Sequence, residues 1–443
     1  MESNFSKLGF ILAALGSSIG LGHIWRFPYM AGTSGGGGFV LLFLMLALTV
    51  GLTMLVAEMV IGQSTQTDVA SAFEQLNPKG TKEWKYAGLM LFTGPVILSF
   101  YAIVLGWVFY YLVGVSFTLP VDINASREVL AGLENSVGKQ IAGLGFTLAL
   151  TAWIVSRGVK DGIEKLNFVL MPLLFIIFFG LLIYASTKPS FKQAVNFMFG
   201  VRLADINSKV FMNALGQVFF ALSIGIGINI SYASSTDSKQ NLLQSAFWVV
   251  LPGIVISLVA GLMIFTFVFE YGDTPTEGAG LIFVSLPVVF YKMGWMGSVV
   301  FILFLCALAF AGITSTIALL EPPVQYLVDH NYSRSKATWL VTLAIFVVGV
   351  VLVFSLNKLY KPHLSLFNKD LFDLADFLTT SVLMPLGGLM SVLFVGWVIG
   401  KNKLRQITSH FLSEGVFALW LFLLKFIAPL VILMIWAVKI IQG

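Results

Sequence analysis

Stretches of about 20 apolar residues, the length that an α-helix needs to cross the hydrocarbon core of a bilayer, recur eleven times along this chain. With 58% hydrophobic and only 11% charged residues, the 443-residue chain is too apolar for a water-soluble protein. The pattern predicts an all-α polytopic membrane protein with eleven transmembrane helices. They are expected at about 7–29, 38–61, 88–116, 139–156, 166–187, 210–235, 241–269, 296–328, 336–355, 374–400 and 414–439.

Basic residues between the apolar runs indicate how the chain crosses the membrane. The connector 157–161 is basic and is expected in the cytoplasm, which places the N-terminus inside and, after eleven spans, the C-terminus outside the plasma membrane. The formal net charge of +5 fits these loops and gives no reason to expect nucleic acid as a partner. The apolar run 281–290 is too short to span, so 270–292 is expected to be a re-entrant or capping element over the outer face.

The first apolar run is interrupted where a membrane helix should be most regular. Gly16, Gly20 and Gly22 lie close together beside Ser17 and Ser18, and each interior glycine costs about 1 kcal/mol of helix propensity relative to alanine. In hydrocarbon, a broken backbone persists only when it is buried in protein or lines a polar cavity. Freed carbonyls suit a cation and freed N–H groups suit an anion, so the run predicts an ion and ligand site.

A matching interruption occurs in the sixth run, at 223–227, about 205 positions after the first. Two broken helices in a ten-helix core are typical of two inverted five-helix repeats with the site between them. The repeats are expected at about 7–187 and 210–400 of a single domain, 1–443, with an extra helix at 414–439. The alternative is that the glycines serve close helix packing.

Four segments carry a resemblance to a known family: 20–29 (GLGHIWRFPY), 35–38 (GGGG), 216–220 (GQVFF) and 311–315 (AGITS). They resemble the neurotransmitter:sodium symporters, and the bacterial leucine and hydrophobic amino-acid transporters are similar to this chain in length. The resemblance covers essentially the whole chain. It implies a transporter with two broken helices that uses sodium as its coupling ion. An enzyme is not expected, because the sequence shows no nucleophile–base pair, carboxylate dyad or Cys/His metal cluster.

The resemblance also implies a sodium site and a substrate site. The sodium ligands would be the carbonyls and hydroxyls of Gly16, Ile19, Ala311, Thr314 and Ser315. Oxygen ligands suit this hard cation, although the two hydroxyls could instead bond back to their own helix. The substrate cavity would be formed by Ser17, Ser18, Gly20, Gly22, His23, Ile97, Tyr101, Phe220, Ala221, Ser223, Ile226, Ser315 and Leu319.

The composition of this cavity favours one class of substrate. Monoamine members of the family carry an aspartate where this chain has Gly20, so the substrate is expected to bring its own carboxylate. Backbone N–H groups of Gly20 and Gly22 and the Tyr101 hydroxyl can bind that carboxylate. The alternative for Tyr101 is a packing role of its aromatic ring without a contact to the substrate. A neutral apolar or aromatic amino acid is therefore expected, and Ile226, in place of the usual aromatic residue, leaves its size open.

Ionisable residues near the ends of the spans are predicted to form gates. The resemblance pairs Arg26 with Asp376 as the outer gate. The alternative is a static salt bridge, or charged side chains that extend to the lipid headgroups. Asp329 corresponds to the inner-gate aspartate, but its usual arginine and tryptophan partners would fall at Met1 and Asn4. Glu58 and Glu321 are expected to be structural, and Lys425 has no predicted role.

Two other ion sites of the family are depleted in this sequence. Chloride ligands would fall at Phe43, Gln217, Ala221 and Ser257, of which only Gln217 and Ser257 are suitable, so transport should be independent of chloride. The ligands of a second sodium would fall at His23, Ala221 and Gly253, where no side-chain oxygen remains. His23 could supply the missing charge by carrying a proton, or it could be a neutral side chain bonded to a carbonyl.

The resulting hypothesis is a secondary active symporter of a neutral amino acid, with one sodium ion and possible proton coupling through His23. The competing class is a substrate-gated channel, or a sensor of the same fold that binds without transport. The expected partners are the amino acid and the lipid bilayer, in a monomer or a weak homodimer.

Overall fold

The computed structural model describes residues 5–80, 82–271, 280–367 and 369–434, and most of these residues are helical. In the described ranges, nine helices are long and apolar enough to span a membrane: Gly37–Thr65, Glu83–Phe117, Val137–Val155, Val159–Ser186, Leu242–Tyr271, Trp295–Asp329, Arg334–Leu356, Leu371–Val398 and Glu414–Met434. A further pair of helices, Lys7–Ser18 and Gly22–Thr33, is apolar enough to span together and is bent by 50° at its break. This architecture confirms the predicted all-α polytopic fold.

The predicted sixth span consists of two shorter helices, Ser208–Ala221 and Ile228–Ser234, separated by six residues. Neither helix is long enough to cross a bilayer alone, because a span needs about 20 residues. The number of eleven spans and the division into two repeats therefore remain predictions. The last five residues of the predicted final helix, 435–439, lie outside the described residues.

Positive backbone φ angles explain why the sixth helix breaks. Ser223, Gly225 and Gly227 have φ angles of 53°, 79° and 89°, which the right-handed helix excludes. A Cβ on Gly225 would lie only 2.0 Å from the carbonyl oxygen of Met384, so the backbones approach too closely there for any side chain. In the first helix, the break follows Ile19, whose ψ of 86° ends the helix Lys7–Ser18.

The broken helices lie in the centre of the bundle. Lys7–Ser18 packs against the fifth, seventh and eighth helices, Val159–Ser186, Leu242–Tyr271 and Trp295–Asp329. Helices at the periphery expose large apolar side chains, such as Ile176 on the fifth and Leu343 on the ninth. The bilayer would cover these side chains.

Shorter elements connect the spans. A two-residue antiparallel pair, Ser365–Leu366 with Lys369–Asp370, precedes the tenth helix. Within the predicted capping segment 270–292, the structure describes a mostly buried helix, Leu281–Lys292. The hydroxyl of Tyr111 donates to the Phe283 carbonyl of this helix at 3.0 Å. Residues 272–279 lie outside the described residues. The other short helices are Val69–Leu76, Ile123–Glu134, Phe191–Phe199 and Lys401–Thr408.

Three buried or intramembrane charges have structural partners. Glu321 forms an ion pair with Arg334, whose Nε donates to the Val155 carbonyl at 2.8 Å. The ammonium of Lys425, for which the sequence suggested no partner, lies 4.9 Å from the centre of the Trp397 ring. At this distance a cation–π contact stabilises the charge.

Candidate functional site

A cavity lies between the two helix breaks. Its walls come from the first, third, sixth and eighth helices, and no acidic side chain lines it among the residues that the structure describes. The lining residues are Ser17, Ser18, Gly20, Leu21, Gly22, Ile97, Tyr101, Phe220, Ser223, Ile226, Ile228, Ser315 and Leu319. The structure thus brings together the predicted substrate residues, except His23 and Ala221.

Leu21 and Ile228 line the cavity but were absent from the sequence prediction. Leu21 lies between the two glycines of the first break, and Ile228 directly follows the second break. Their position next to the glycines was the signal that could have identified them, because residues beside an unwound turn project into the space that it opens.

His23 and Ala221 do not line the cavity, so their predicted contact with the substrate stays a prediction. His23 is 1% exposed, and its Nδ1 lies 2.9 Å from the Ser18 carbonyl. A Cβ on Gly253 would lie 2.8 Å from His23 Nε2, so the imidazole fills the space beside that glycine. Ala221 takes part through its backbone, whose carbonyl accepts a hydrogen bond from Ser18 Oγ at 2.7 Å.

The first break releases carbonyl groups from the helical hydrogen-bond ladder. The N–H of Gly20 donates to the Ser18 carbonyl at 2.9 Å, so it does not reach back to Gly16 as a continuing helix would require. The Ser17 carbonyl accepts from Ser223 Oγ at 3.2 Å. The Gly16 carbonyl is therefore available for a cation.

The predicted sodium ligands of the first and eighth helices lie against each other. A Cβ on Gly16 would be 3.1 Å from the Thr314 Cβ, and one on Gly20 would be 2.3 Å from Ser315 Oγ. The hydroxyl of Ser315 is buried and has no hydrogen-bond partner within the described residues. Thr314 Oγ1 donates back to the Ala311 carbonyl at 3.0 Å. This bond to its own helix is the one expected if Thr314 were not a sodium ligand.

Since a hydroxyl oxygen that donates can still accept, the Thr314 contact is compatible with binding a cation. All five predicted ligands offer oxygen, and no group of three or more His, Cys, Asp or Glu side chains that could hold another metal occurs among the described residues. Neutral oxygens are ligands that a hard monovalent cation accepts. These residues therefore fit sodium.

The second break is held by a buried carboxyl group on the second helix. Glu58 is fully buried, and it accepts from the Gly225 N–H at 2.8 Å and from Asn229 Nδ2 at 2.9 Å. The same amide also donates to the Leu222 carbonyl at 3.1 Å. Glu58 therefore satisfies the polar groups of this break, which agrees with the structural role expected for it.

An aromatic pair separates the cavity from a wider vestibule. Tyr101 and Phe220 line both spaces. The Tyr101 hydroxyl accepts from the Leu21 N–H at 3.1 Å, which leaves its own proton free for a ligand. A Cβ on Gly22 would lie 2.5 Å from the Phe220 ring, so glycine is needed for Phe220 to occupy this position.

The predicted outer-gate residues, Arg26 and Asp376, both line the vestibule. The Arg26 guanidinium lies 4.8 Å from the centre of the Phe220 ring, and within the described ranges no salt bridge joins it to Asp376. The predicted pairing of Arg26 with Asp376 as an outer gate therefore stays a prediction. Near the vestibule rim, Lys361 and Asp370 form an ion pair at 2.8 Å, which raises the pKa of the Lys361 ammonium.

At the opposite end of the molecule, Asp329 accepts from the Asp68 N–H at 2.7 Å. The start of the first helix is anchored nearby, because Ser6 Oγ donates to Glu164 at 2.6 Å and the Phe5 N–H donates to the Ser235 carbonyl at 2.9 Å. The predicted positions of the usual inner-gate partners, Met1 and Asn4, lie outside the described residues.

Comparison with known proteins identifies relatives along the whole chain. The family model described as "Sodium:neurotransmitter symporter family" matches residues 2–129 and 123–443. The sodium-dependent transporter YhdH of Bacillus subtilis is 37% identical over 440 residues, which cover 97% of this chain and 96% of that protein. A sodium-dependent transporter of Haemophilus influenzae is 31% identical over 442 residues, with 97% and 96% covered.

A solved structure supports the same relationship. The crystal structure of MhsT in complex with L-phenylalanine matches this structure with a TM-score of 0.89 and 35% sequence identity, over 99% of each chain.

Proposed function

This chain belongs to the sodium:neurotransmitter symporter family, and we propose that it couples sodium influx to the uptake of a neutral apolar or aromatic amino acid. It is a multi-pass membrane protein of a sodium-dependent transporter family, and its relatives are transporters and not enzymes. The observation that carries the proposal is the cavity between the two helix breaks, whose lining combines polar and apolar residues.

The polar part of the cavity lining suits the carboxylate of an amino acid. Gly20 and Gly22 carry no side chains that would block an approach to their backbone, and the Tyr101 hydroxyl has a proton to donate. Ile97, Ile226 and Leu319 form an apolar surface for the substrate side chain. The bound L-phenylalanine in the related MhsT structure supports an aromatic or apolar side chain of this kind.

We propose that one sodium ion binds at Gly16, Ile19, Ala311, Thr314 and Ser315. The freed Gly16 carbonyl and the unpartnered Ser315 hydroxyl support this site. We further propose that His23 stands at the position of a second sodium ion as a neutral imidazole, which does not supply the charge of that ion. A carbonyl can only accept, so the contact with Ser18 requires the proton on Nδ1, and among the described residues no carboxylate contacts His23 to favour a second proton.

We also propose that chloride is dispensable. Gln217 Nε2 donates one of its two N–H groups to the Gly22 carbonyl at 2.7 Å. Phe43 and Ala221 offer no side-chain donor, so the four predicted positions retain only the second N–H of Gln217 and the Ser257 hydroxyl. Two neutral donors do not offset the cost of desolvating an anion.

The decisive experiment is substrate binding by purified protein across a panel of amino acids, amines and osmolytes, in sodium or choline buffer. We expect sodium-dependent binding of a neutral amino acid with a Hill coefficient near one for sodium. Preference for an amine without a carboxylate would contradict the proposal. Replacement of chloride by gluconate should leave transport unchanged.

Two further measurements test the finer parts of the proposal. With a neutral His23, substrate affinity should vary less than about twofold between about pH 5.5 and 8.5, the range in which a histidine ordinarily titrates. A pH dependence that disappears in His23→Asn would instead establish the proton-coupled alternative. Counterflow of labelled amino acid in proteoliposomes distinguishes a transporter from a sensor, which would show binding without exchange.

A further inference from the structure

Asn167, on the fifth helix, is a buried polar residue that none of the interactions above involves. Its side chain is 1% exposed, and Nδ2 donates to the Ile163 carbonyl at 2.9 Å. Oδ1 is buried and has no hydrogen-bond partner within the described part of the chain. Since the Ile163 carbonyl can only accept, the amide nitrogen must face it, and this fixes the oxygen on the other side.

The free oxygen of Asn167 points at the first helix beside the sodium site. A Cβ on Gly16 would lie 2.1 Å from Asn167 Oδ1, and the same point lies 3.1 Å from the Thr314 Cβ. The amide oxygen therefore adjoins two of the predicted sodium ligands. It can approach the first helix this closely only because residue 16 has no side chain.

We propose that Asn167 Oδ1 is a further ligand of the coupling sodium ion, contributed by the fifth helix. This inference rests on the proposed sodium site at Gly16, Ala311 and Thr314. A buried oxygen without a partner is unfavourable, whereas a hard cation accepts neutral amide oxygens as ligands. Sodium would then connect three helices, and its binding would hold the fifth helix against the first and eighth.

A structural role for Asn167 makes the opposite prediction for one substitution. In Asn167→Asp the oxygen facing Gly16 is retained, but the hydrogen bond from Nδ2 to the Ile163 carbonyl is lost. If the oxygen binds sodium, this variant should retain sodium affinity or increase it, because a carboxylate is a stronger cation ligand. If only the hydrogen bond to the Ile163 carbonyl matters, the melting temperature of the variant should fall by the same amount with and without sodium.

The test is a sodium titration of the melting temperature of purified protein, with choline keeping the ionic strength constant and with substrate absent. Wild type, Asn167→Ala, Asn167→Asp and Thr147→Ala are compared. Thr147 on the fourth helix is a matched control, because its hydroxyl is also buried without a partner among the described residues. We expect Asn167→Ala to raise the sodium midpoint about tenfold and Thr147→Ala to leave it unchanged.

The outcomes separate this inference from the proposed function. An Asn167→Ala midpoint within twofold of wild type would overturn the role of Asn167 and leave the sodium site intact. Equal destabilisation of Asn167→Asp in sodium and choline would also overturn it, and this variant decides the question if Asn167→Ala does not fold. A wild-type protein that does not respond to sodium at all would instead refute the proposed function.

Discussion

The first and sixth helices are both interrupted at glycines, but the polar groups at the two breaks are satisfied differently. At the second break, Glu58 and Asn229 bind the backbone of Gly225 and Leu222, so the protein supplies the partners itself. At the first break, the Gly20 N–H donates to the Ser18 carbonyl and not to that of Gly16, so the Gly16 carbonyl leaves the helical ladder. In the proposed sodium site, a cation would be its partner.

The difference indicates which break depends on ligand. A break closed by a buried carboxyl group keeps its shape whether or not ions are bound, whereas a break that exposes carbonyls is stabilised only when a cation is present. We therefore expect substitutions at the second break to change folding and those at the first break to change ligand binding.

Alanine substitution of one glycine in each break should have the largest effects. Gly225→Ala would place a Cβ 2.0 Å from the Met384 carbonyl oxygen at a φ of 79°, and backbone cannot move aside easily. We expect a loss of more than about 4 kcal/mol and little folded protein in size-exclusion chromatography of detergent extracts.

Gly20→Ala is the matched variant in the first break. Its Cβ would meet the Ser315 hydroxyl and the Tyr101 hydroxyl, which are ends of side chains, so the protein should fold normally. Substrate binding should be lost, because the new methyl group enters the cavity. Normal folding of Gly225→Ala, or misfolding of Gly20→Ala, would contradict the distinction between the two breaks.

Removal of the carboxyl group that holds the second break should have the next largest effect. Glu58→Ala leaves the Gly225 N–H and the Asn229 amide without this partner in a buried site. We expect a destabilisation on the order of 3 kcal/mol, measured as a lower melting temperature that is equal in sodium and choline. A loss that saturating sodium restores would show that this break depends on ligand after all.

Loss of one sodium-ligand hydroxyl at the first break should have a smaller and selective effect. Thr314→Val keeps the shape of the side chain but removes an oxygen ligand. The sodium concentration for half-maximal stabilisation should rise about tenfold, equivalent to about 1.4 kcal/mol, while the melting temperature in choline stays near that of wild type. An unchanged sodium titration would mean that the hydroxyl serves only its bond to the Ala311 carbonyl.

The sequence predicted both breaks because glycines interrupt apolar runs, which is a local signal. It also led, through the family resemblance, to most of the residues that line the cavity. It did not predict that Glu58 closes the second break or that Lys425 lies over Trp397, because these contacts join helices far apart in the chain. Apolar periodicity identifies a span, but it does not determine which neighbour a polar side chain meets.

The absence of His23 and Ala221 from the cavity lining has a related cause. The resemblance identified the positions of a second sodium site, and in this chain the imidazole contacts the Ser18 carbonyl and occupies the space beside Gly253. Similarly, the resemblance paired Arg26 with Asp376, whereas in this structure its guanidinium lies over Phe220. The packing around each side chain decides both cases, and it is not encoded in residue type alone.

The smallest expected effect concerns Glu134, which lines the vestibule above both breaks. Burial raises the pKa of its carboxyl group, and the nearby Lys361 only partly offsets this shift. A carboxyl group whose pKa is raised on folding stabilises the protein below its unfolded pKa of about 4.3, and this contribution is lost as the pH rises through the folded pKa.

Glutamine at position 134 is neutral at every pH, so its contribution to stability does not fall as the pH rises. Glu134→Gln should therefore melt about 1 °C higher than wild type at pH 8, since a partly exposed group contributes less than about 1 kcal/mol, and the difference should vanish near pH 4. Melting curves in choline between pH 4 and 8 measure it without the sodium response of the first break. A variant that melts lower than wild type at pH 8 would mean that the attraction of Lys361 outweighs the burial of the carboxylate.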